Sequence, residues 1–405
     1  MPLFNALSRN QIQTLSLIAI SILANVTMSG GRVAASLFVL RHGGSAVLAG
    51  IAYSTYSLLP ALLSLLIGRW IDMVGPRRAM RTSQVVMIAG LIAPALFPSM
   101  VTVFGCALVC GIGFSSYLLA ANVAVTMMPF EHHGERVGML GWLAMGGSAA
   151  GAVGPMVVGF AIDHGGFNAA YGAMAAIVAA SLVLSFCVDV PGGVGGMLRP
   201  KGERHKHGVA RLVFSNPRLL RIYLLAMVVS MGYDGFAFMT PVLGQERGLS
   251  ATTIGMIMSC FAVGTFSVGA LLPWLSRHFT EWRMMMLAFG ATAAVFMLLP
   301  LAYNGYVYGV LGFLFGFAAG AGQPNILSLI YRAMPDRAGE GAGLRSLMGN
   351  TVGLTAPSIY GSVAGMFGAV PVFIGVGCVA ALASWQSFMG WKGSTEPVRS
   401  DETHQ

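Results

Sequence analysis

The chain is short of charge, and of negative charge most of all. Only 9% of its 405 residues are charged, with 14 Asp and Glu against 23 Lys and Arg, whereas 56% are apolar. Soluble domains carry about a quarter charged residues, and so few charges cannot cover a water-facing surface for a chain of this length. The shortage excludes an ordinary soluble protein and predicts an outer surface that faces lipid.

The sequence also lacks the patterns of several kinds of site. Its five cysteines all fall inside apolar runs and form no CxxC pair, which predicts free thiols packed in helices. A GxxxxGK[ST] nucleotide loop and an HExxH zinc motif are both missing, so neither nucleotide binding nor zinc-dependent hydrolysis is expected. The first apolar run is not followed by a small-residue cleavage site, and we expect it to remain as the first helix.

What the sequence does contain is twelve apolar runs of the length that crosses a bilayer, about 20 residues or more. They predict an all-α membrane protein with helices near 12–39, 46–67, 79–97, 101–128, 137–161, 168–188, 219–243, 251–273, 283–301, 305–332, 342–366 and 370–391. A Gly-rich and then basic segment separates the sixth run from the seventh. We therefore expect six-helix bundles at 1–188 and 219–391, a flexible linker at 189–218 and a tail at 392–405.

The basic residues near the ends of these runs lie almost entirely on one side. Of the 23 Lys and Arg residues, twenty fall on the side of both termini and the linker. Only Arg41 and Arg247 fall on the other side, and Arg32 lies inside a run. The positive-inside rule then predicts cytoplasmic termini in a bacterial inner membrane. Since these loops account for the net charge of +9, no nucleic-acid partner is expected. The expected partners are the lipid bilayer and a small-molecule substrate, with the chain as a monomer.

The two halves resemble each other when one is shifted by about 205 residues. The matched residues occur in the same order and at corresponding places: Ser45 and Gly50 fall on Ser250 and Gly255, and, with a small gap, Pro155 and Gly159 fall on Pro357 and Gly361. A parallel duplication of six helices explains the pattern and predicts two pseudo-symmetric bundles.

The segment Gly68-Arg-Trp-Ile-Asp72-Met-Val-Gly75-Pro-Arg77-Arg78 lies between the second and third runs. It resembles the loop signature of the major facilitator superfamily, and the twelve runs with their central linker extend the resemblance to the whole chain. The resemblance implies that superfamily's fold and a conformational latch made of these five numbered residues. In the latch, Gly68 permits a close helix approach, Asp72 meets the positive end of the eleventh helix, and Arg77 and Arg78 lie at anionic headgroups.

The fifth run contains a stripe of small residues with Gly151, Gly154, Pro155 and Gly159. The stripe is similar to the Gly-Pro signature of the superfamily's drug and metabolite exporters, although such stripes also serve ordinary close packing. Pro155 frees a backbone carbonyl and permits a bend. The exporters' fourth helix usually carries an Arg where this chain has Ala107, so proton antiport does not follow from the resemblance.

Two ionisable residues lie inside predicted runs, where charge is costly and usually functional. Arg32 is in the first run and Asp234 is in the seventh, its repeat equivalent. We expect them to pair with each other or to bracket the substrate, the alternative being a purely structural pair. Other polar residues that could line the pathway are Asn25, Tyr53, Tyr56, Tyr117, Asn122, Gln323, Asn325 and Asn350.

These features predict a secondary transporter that moves a small organic solute by alternating access, most readily an efflux antiporter, and not an enzyme. Uptake of an anionic metabolite or siderophore at Arg32 is the alternative. Met227 and Met231, one turn apart, suggest copper import less strongly, because the eighth run has no His. No cofactor is expected, and coupling to protons or sodium stays open. The other classes considered are a non-transporting receptor and an intramembrane enzyme, for which Asp234 lacks a second carboxylate at membrane depth.

Overall fold

The computed structural model describes residues 9–127, 133–187, 213–334 and 338–395. Within these ranges the chain forms twelve long helices and no strand. Their bounds are α1 Arg9–Arg41, α2 Ala46–Val74, α3 Pro76–Leu96, α4 Met100–Met127, α5 133–165, α6 167–187, α7 Pro217–Glu246, α8 Ala251–His278, α9 Glu281–Leu298, α10 Gly305–Ala333, α11 Ala338–Phe367 and α12 Val370–Thr395. α5 and α6 form one run that breaks at Gly166, where φ is 71°. The predicted all-α, twelve-helix fold is confirmed.

The described helices are those of a multi-pass membrane protein. Ten of their segments are long and apolar enough to cross a membrane, and one of these, Ala149–Phe186, takes in parts of both α5 and α6. α11 is not among the ten, because it mixes Glu340, Arg345 and Asn350 with many small residues. We infer that packing against neighbouring helices, rather than its own hydropathy, holds α11 in the bundle.

The helix ends differ from the apolar runs, most clearly between α2 and α3. We predicted a loop over the latch segment, but α2 continues through Asp72 to Val74 and α3 begins at Pro76. The joint is Gly75 alone, whose φ of 81° suits a residue without a Cβ. The prediction ended α2 at residue 67 because the last two turns are too polar for an apolar run. For the same reason α12 extends past 391 to Thr395. Most of the predicted linker and tail lies outside the described residues.

The two halves, α1–α6 and α7–α12, meet along two seams, one between α2 and α11 and one between α5 and α8. In each seam two glycines lie so close to the facing helix that a Cβ would overlap a carbonyl oxygen. The contacts are Gly50 on Pro357 and Gly361 on Ala46 in the α2–α11 seam, and Gly255 on Pro155 and Gly159 on Ala251 in the α5–α8 seam. The internal repeat therefore appears as two equivalent close contacts between the halves.

The two ends of the bundle are packed differently. We call the end with most of the Lys and Arg residues the basic end, and the opposite end, where α1 joins α2 and α7 joins α8, the far end. The glycine contacts of both seams lie toward the far end. At the basic end Asp72 is exposed, and a Cβ on Gly68 would meet open space. The close approach predicted at Gly68 is absent from this conformation, in which the halves are held together at the far end.

Candidate functional site

A cavity of about 720 Å³ lies between the two halves. Helices α1, α2, α4 and α5 line it from the first half, and α7, α8 and α10 line it from the second. Much of its wall is apolar or aromatic, with Met28, Phe114, Met258, Phe261 and Phe266 among the lining side chains. A cavity of this size with a few polar groups in an apolar wall suits a small organic molecule.

Arg32 and Asp234 form an ion pair across the halves in the wall of this cavity. Arg32 Nη1 lies 3.9 Å from Asp234 Oδ1, and the two side chains are 23% and 17% exposed. Arg32 Nη2 donates a hydrogen bond to Ser57 Oγ at 2.9 Å, and its guanidinium lies 5.0 Å from the centre of the Tyr53 ring. Because 3.9 Å exceeds hydrogen-bond distance, the pair is held by charge attraction alone. Asp234 therefore keeps its hydrogen-bonding capacity for another group.

Gly353 of α11 lies beside this pair. A Cβ on Gly353 would lie in ordinary van der Waals contact with both groups, 3.4 Å from Asp234 Oδ2 and 3.6 Å from Ser57 Oγ. α1, α2, α7 and α11 thus converge on one polar cluster within an otherwise apolar wall. Separation of the halves at the far end would pull this cluster apart.

Several polar residues that we predicted for the pathway lie elsewhere. Tyr56 and Tyr117 are fully buried in the first half, and Asn122 donates to the Leu118 carbonyl of its own helix. Asn325 is also buried and donates to Ala321 O at 2.8 Å, while Asn350 is exposed. None of these five residues lines this cavity in this conformation, although Asn325 lines a cavity that adjoins it at Gly269 and Pro324. Their part in the transport pathway stays a prediction. Hydropathy alone does not give the rotation of an apolar helix about its axis.

Asn25, Tyr53 and Gln323 do line the cavity, together with Arg32 and Asp234. The oxygen of Gln323 accepts a hydrogen bond from Arg345 on α11. Arg345 lies about 10 Å along α11, which begins at residue 338. A second cation therefore stands behind the polar wall of the cavity on the side of the second half.

The latch residues cluster at the basic end, away from the cavity. Gly75 is buried in the joint, whereas Asp72 and Arg78 are exposed and Arg77 is partly exposed. Within the described part of the chain, no hydrogen bond or ion pair joins Asp72 to α11. Its predicted contact with the start of α11 is not made in the conformation that is closed at the far end.

The Gly-Pro stripe on α5 serves both helix packing and the cavity wall. Gly154 packs on α1, where a Cβ would strike Ser29 and Val26, and Gly159 packs on α8. Gly151 and Pro155 line the cavity. The stripe therefore joins α5 both to its own half and to the other, and it also forms part of the cavity wall.

Asp163, near the end of α5, connects the halves at the far end and was not among the predicted site residues. Its carboxylate accepts from Ala251 N at 3.1 Å, from Thr252 N at 2.7 Å and from Thr252 Oγ1 at 2.7 Å. It also pairs with Arg41 of α1 at 3.3 Å. The carboxylate thus caps the free N–H groups that begin α8. We call these four residues the far-end clasp.

The α2–α11 seam has no such clasp. With the offset that aligns Gly159 with Gly361, Asp163 falls on Gly365, which has no side chain to offer. The start of α2 has only the cap from its own Ser45, whose side chain accepts from Leu48 N, and α8 has the equivalent cap from Ser250 in addition to the clasp. The sequence signal for the clasp was a carboxylate at a repeat position where the other half has glycine.

The two methionines considered for copper do not line the cavity. Met227 and Met231 are partly buried and pack against the main apolar core. In the described ranges, no three His, Cys, Asp or Glu side chains are grouped as metal ligands would be.

Comparison with known sequences shows the family. The sequence model of the Major Facilitator Superfamily matches residues 15–357. The chain is 25% identical over 261 residues to Multidrug resistance protein MdtG of Escherichia fergusonii, a match that covers 61% of this chain and 62% of that relative, under two thirds of its length. It is 22% identical over 359 residues to a multi-drug resistance efflux pump PmrA homolog of Lactococcus lactis, covering 86% and 87% of the two chains.

Among solved structures, the chain resembles a bacterial homologue of the human lysosomal transporter Spinster, in an inward-facing and unoccupied conformation. The TM-score is 0.75 at 14% identity, with 95% of this chain and 98% of that chain covered. This likeness supports the fold: twelve helices in two halves around a central cavity. The chain is a multi-pass membrane protein, and it belongs to the Major Facilitator Superfamily.

Proposed function

We propose that the protein is a secondary transporter that exports small organic solutes from the bacterial cytoplasm by alternating access. The observation that carries the proposal is the cavity between the halves, with an apolar and aromatic wall and one charge pair contributed by both halves. An exporter of drug-like solutes needs apolar surface for affinity and few directional groups. Similarity to two multidrug efflux proteins supports export over uptake.

The basic end is cytoplasmic in this proposal, as the positive-inside rule predicts for a bacterial inner membrane. The conformation described above is then inward-facing, with the far end closed toward the periplasm. Solute enters the cavity from the cytoplasmic side and leaves after the far-end seams part. In the outward-facing state the basic ends of α2 and α11 approach, and Asp72 gains its contact with the start of α11. A monomer contains every element of this cycle.

The Arg32–Asp234 pair is the proposed coupling element. Opening the far end separates the two charges, and an unpaired charge in a low-dielectric wall is costly. In the outward-facing state Asp234 is unpaired and takes up a proton from the periplasm, and it releases that proton to the cytoplasm when the far end closes and Arg32 again lies beside it. We favour a proton over sodium because a metal ion requires several oxygen ligands, whereas Asp234 is a single carboxylate beside a guanidinium. Proton entry would then drive solute exit, as in an antiporter.

The test is drug accumulation in cells of a strain that lacks its own major efflux pumps. Cells that express the protein should accumulate less of at least one compound from a panel that includes ethidium and chloramphenicol. Asp234→Asn should abolish the difference. Glu246→Gln is the matched control, since it neutralises a carboxylate at the far end of the same helix, outside the cavity, and it should keep wild-type efflux. Equal accumulation with and without the protein, across the panel and in everted vesicles, would count against export.

Uptake of an organic anion is the second candidate, and one observation favours it. Arg32 lines the cavity, and its Nη1 lies beyond hydrogen-bond distance of Asp234, so a carboxylate ligand has a cation to bind. Under this alternative a proton on Asp234 travels with the anion. Labelled anion would accumulate faster in cells that express the protein, the opposite sign to the export result.

A further inference from the structure

A second cavity lies in the first half, on the opposite side of α4 from the central one. It measures about 320 Å³ and is formed by α2, α3 and α4. Its lining includes Leu63, Leu66 and Trp70 of α2, Val86 of α3 and Ile112 of α4. We call it the α2–α4 cleft. Its wall is almost wholly apolar, so a ligand there must be hydrophobic over most of its length.

The cleft faces lipid and not the transport pathway. On α4 the central cavity is lined by Phe114 and Leu118, whereas the cleft is lined by Ile112 and Ser116. Positions two residues apart on a helix lie about 200° apart around its axis, so the two cavities use opposite faces of α4. Leu66, on the cleft wall, is 56% exposed on the outside of the bundle.

One polar group inside the cleft has no partner. Ser83 is 2% exposed and lines the cleft, and its Oγ makes no hydrogen bond within the described part of the chain. A buried hydroxyl without a partner is unfavourable by about 1–3 kcal/mol, and it is satisfied by a ligand with an acceptor at that depth. Ser83 lies five residues, about 7.5 Å along the helix, inward from Arg78.

Two arginines flank the mouth of the cleft at the basic end. Arg69 lies one turn beyond Leu66 on α2, and Arg78 lies one turn before Thr82 on α3. Both are exposed. Arg81 is not available in the same way, because it donates to Ser185 O at 2.8 Å and covers the Phe186 ring. This order of groups matches a phospholipid. The two cations suit its phosphate, the Ser83 hydroxyl suits an ester carbonyl, and the apolar cleft suits an acyl chain.

We propose that the α2–α4 cleft binds an anionic phospholipid from the leaflet at the basic end. Its phosphate lies between Arg69 and Arg78, an ester carbonyl accepts from Ser83, and one acyl chain fills the cleft. Guanidinium groups near a membrane surface favour anionic over zwitterionic lipid. This inference is independent of which solute the central cavity carries and of the direction of transport.

Native mass spectrometry of the purified full chain with defined lipids tests the site. Phosphatidylglycerol should be retained over phosphatidylethanolamine by roughly 25-fold, about fivefold for each arginine. Arg69→Gln with Arg78→Gln should remove that preference. Arg218→Gln with Arg277→Gln is the matched control, because it removes two exposed arginines of the basic end that do not line the cleft. Equal retention of the two lipids by the wild-type protein would overturn the proposal, as would loss of preference in the control alone.

The acyl-chain position is tested by filling the cleft and by labelling the unaltered protein. Val86→Trp should weaken retention of phosphatidylglycerol at least about fivefold, because the indole would occupy the space of the acyl chain. Because that variant can fail to fold, wild-type protein is also photolabelled with a phosphatidylglycerol that carries a diazirine on its acyl chain. Labels should concentrate in 63–70, 82–86 and 112–116. Labels spread evenly over the lipid-facing helices would mean that no acyl chain occupies the cleft.

Discussion

The far-end clasp leads to a sharp prediction about the closed state. Asp163 is the acceptor for four donors, with Oδ1 taking Ala251 N and Arg41, and Oδ2 taking both groups of Thr252. Asp163→Asn keeps the shape of the side chain but replaces one carboxylate oxygen with an NH2 group. The N–H donors of that group would face the donors of the clasp, with no acceptor between them. Half of the contacts lose their acceptor, and the rest lose the negative charge.

The size of the effect follows from those contacts. A hydrogen bond to a charged group contributes about 1.5–3 kcal/mol, and a partly exposed ion pair such as that with Arg41 adds about 0.2–1 kcal/mol. Since the remaining amide oxygen preserves part of the network, we expect the closed far end to lose about 2–3 kcal/mol. That loss shifts the equilibrium toward far-end opening by roughly 30- to 150-fold.

Distance measurements between the halves can detect this shift. Bio-orthogonal nitroxide labels at Phe97 and Tyr306 leave the five native cysteines in place and occupy exposed sites near the far end, one on each half. Pulsed electron spin resonance should record a longer-distance population in Asp163→Asn that is minor in the wild-type protein. Glu246→Gln removes an equivalent far-end charge outside the clasp and should leave the distances unchanged.

The reasoning would be refuted by an unaltered distance distribution in Asp163→Asn, provided that the variant is folded and wild-type distances respond to lipid or detergent. It would also fail if Glu246→Gln produced the same shift, because the effect would then come from far-end charge in general.

Three further predictions concern the site and the seams. Arg32→Gln should lower thermal stability more than the double variant Arg32→Gln with Asp234→Asn, since the single change leaves a carboxylate unpaired in the wall; equal melting temperatures would contradict the pairing. Gly159→Val should abolish transport because its side chain would overlap α8, whereas Gly172→Val, at a glycine with open space around it, should retain it. Asn122→Ala should keep the transport rate within about twofold of wild type, because its amide bonds only to its own helix and contributes little to contacts between helices. Loss of transport in this variant would place Asn122 in the pathway.

Much of the fold could be predicted because apolar length and basic-residue bias act on whole segments. The twelve helices follow from runs of about 20 apolar residues, and the repeat matches Gly50 with Gly255 and Gly159 with Gly361, which then meet the facing half in equivalent ways. The helix ends were less predictable. α2 continues seven residues past its apolar run to Val74, where backbone hydrogen bonding rather than hydropathy keeps the helix regular.

The residues around the cavity were predicted in part. Arg32 and Asp234 stood out because charge is rare at membrane depth, and they do lie together in the cavity wall. Tyr56 and Asn122 do not line the cavity in this conformation, because a helix that is apolar all round carries no record of which side faces the pathway. Asp163 escaped notice because it lies near a helix end, where a charge is ordinary until its partner on α8 is known.

The two seams are held by unequal contacts, and this difference predicts which seam would open first at the far end. The α5–α8 seam has glycine contacts and the Asp163 clasp, while the α2–α11 seam has glycine contacts and Gly365 at the equivalent position. In the proposed cycle we expect the α2–α11 seam to part before the α5–α8 seam once the Arg32–Asp234 pair is released. The solute would then leave the cavity between α2 and α11, while α5 and α8 stay in contact.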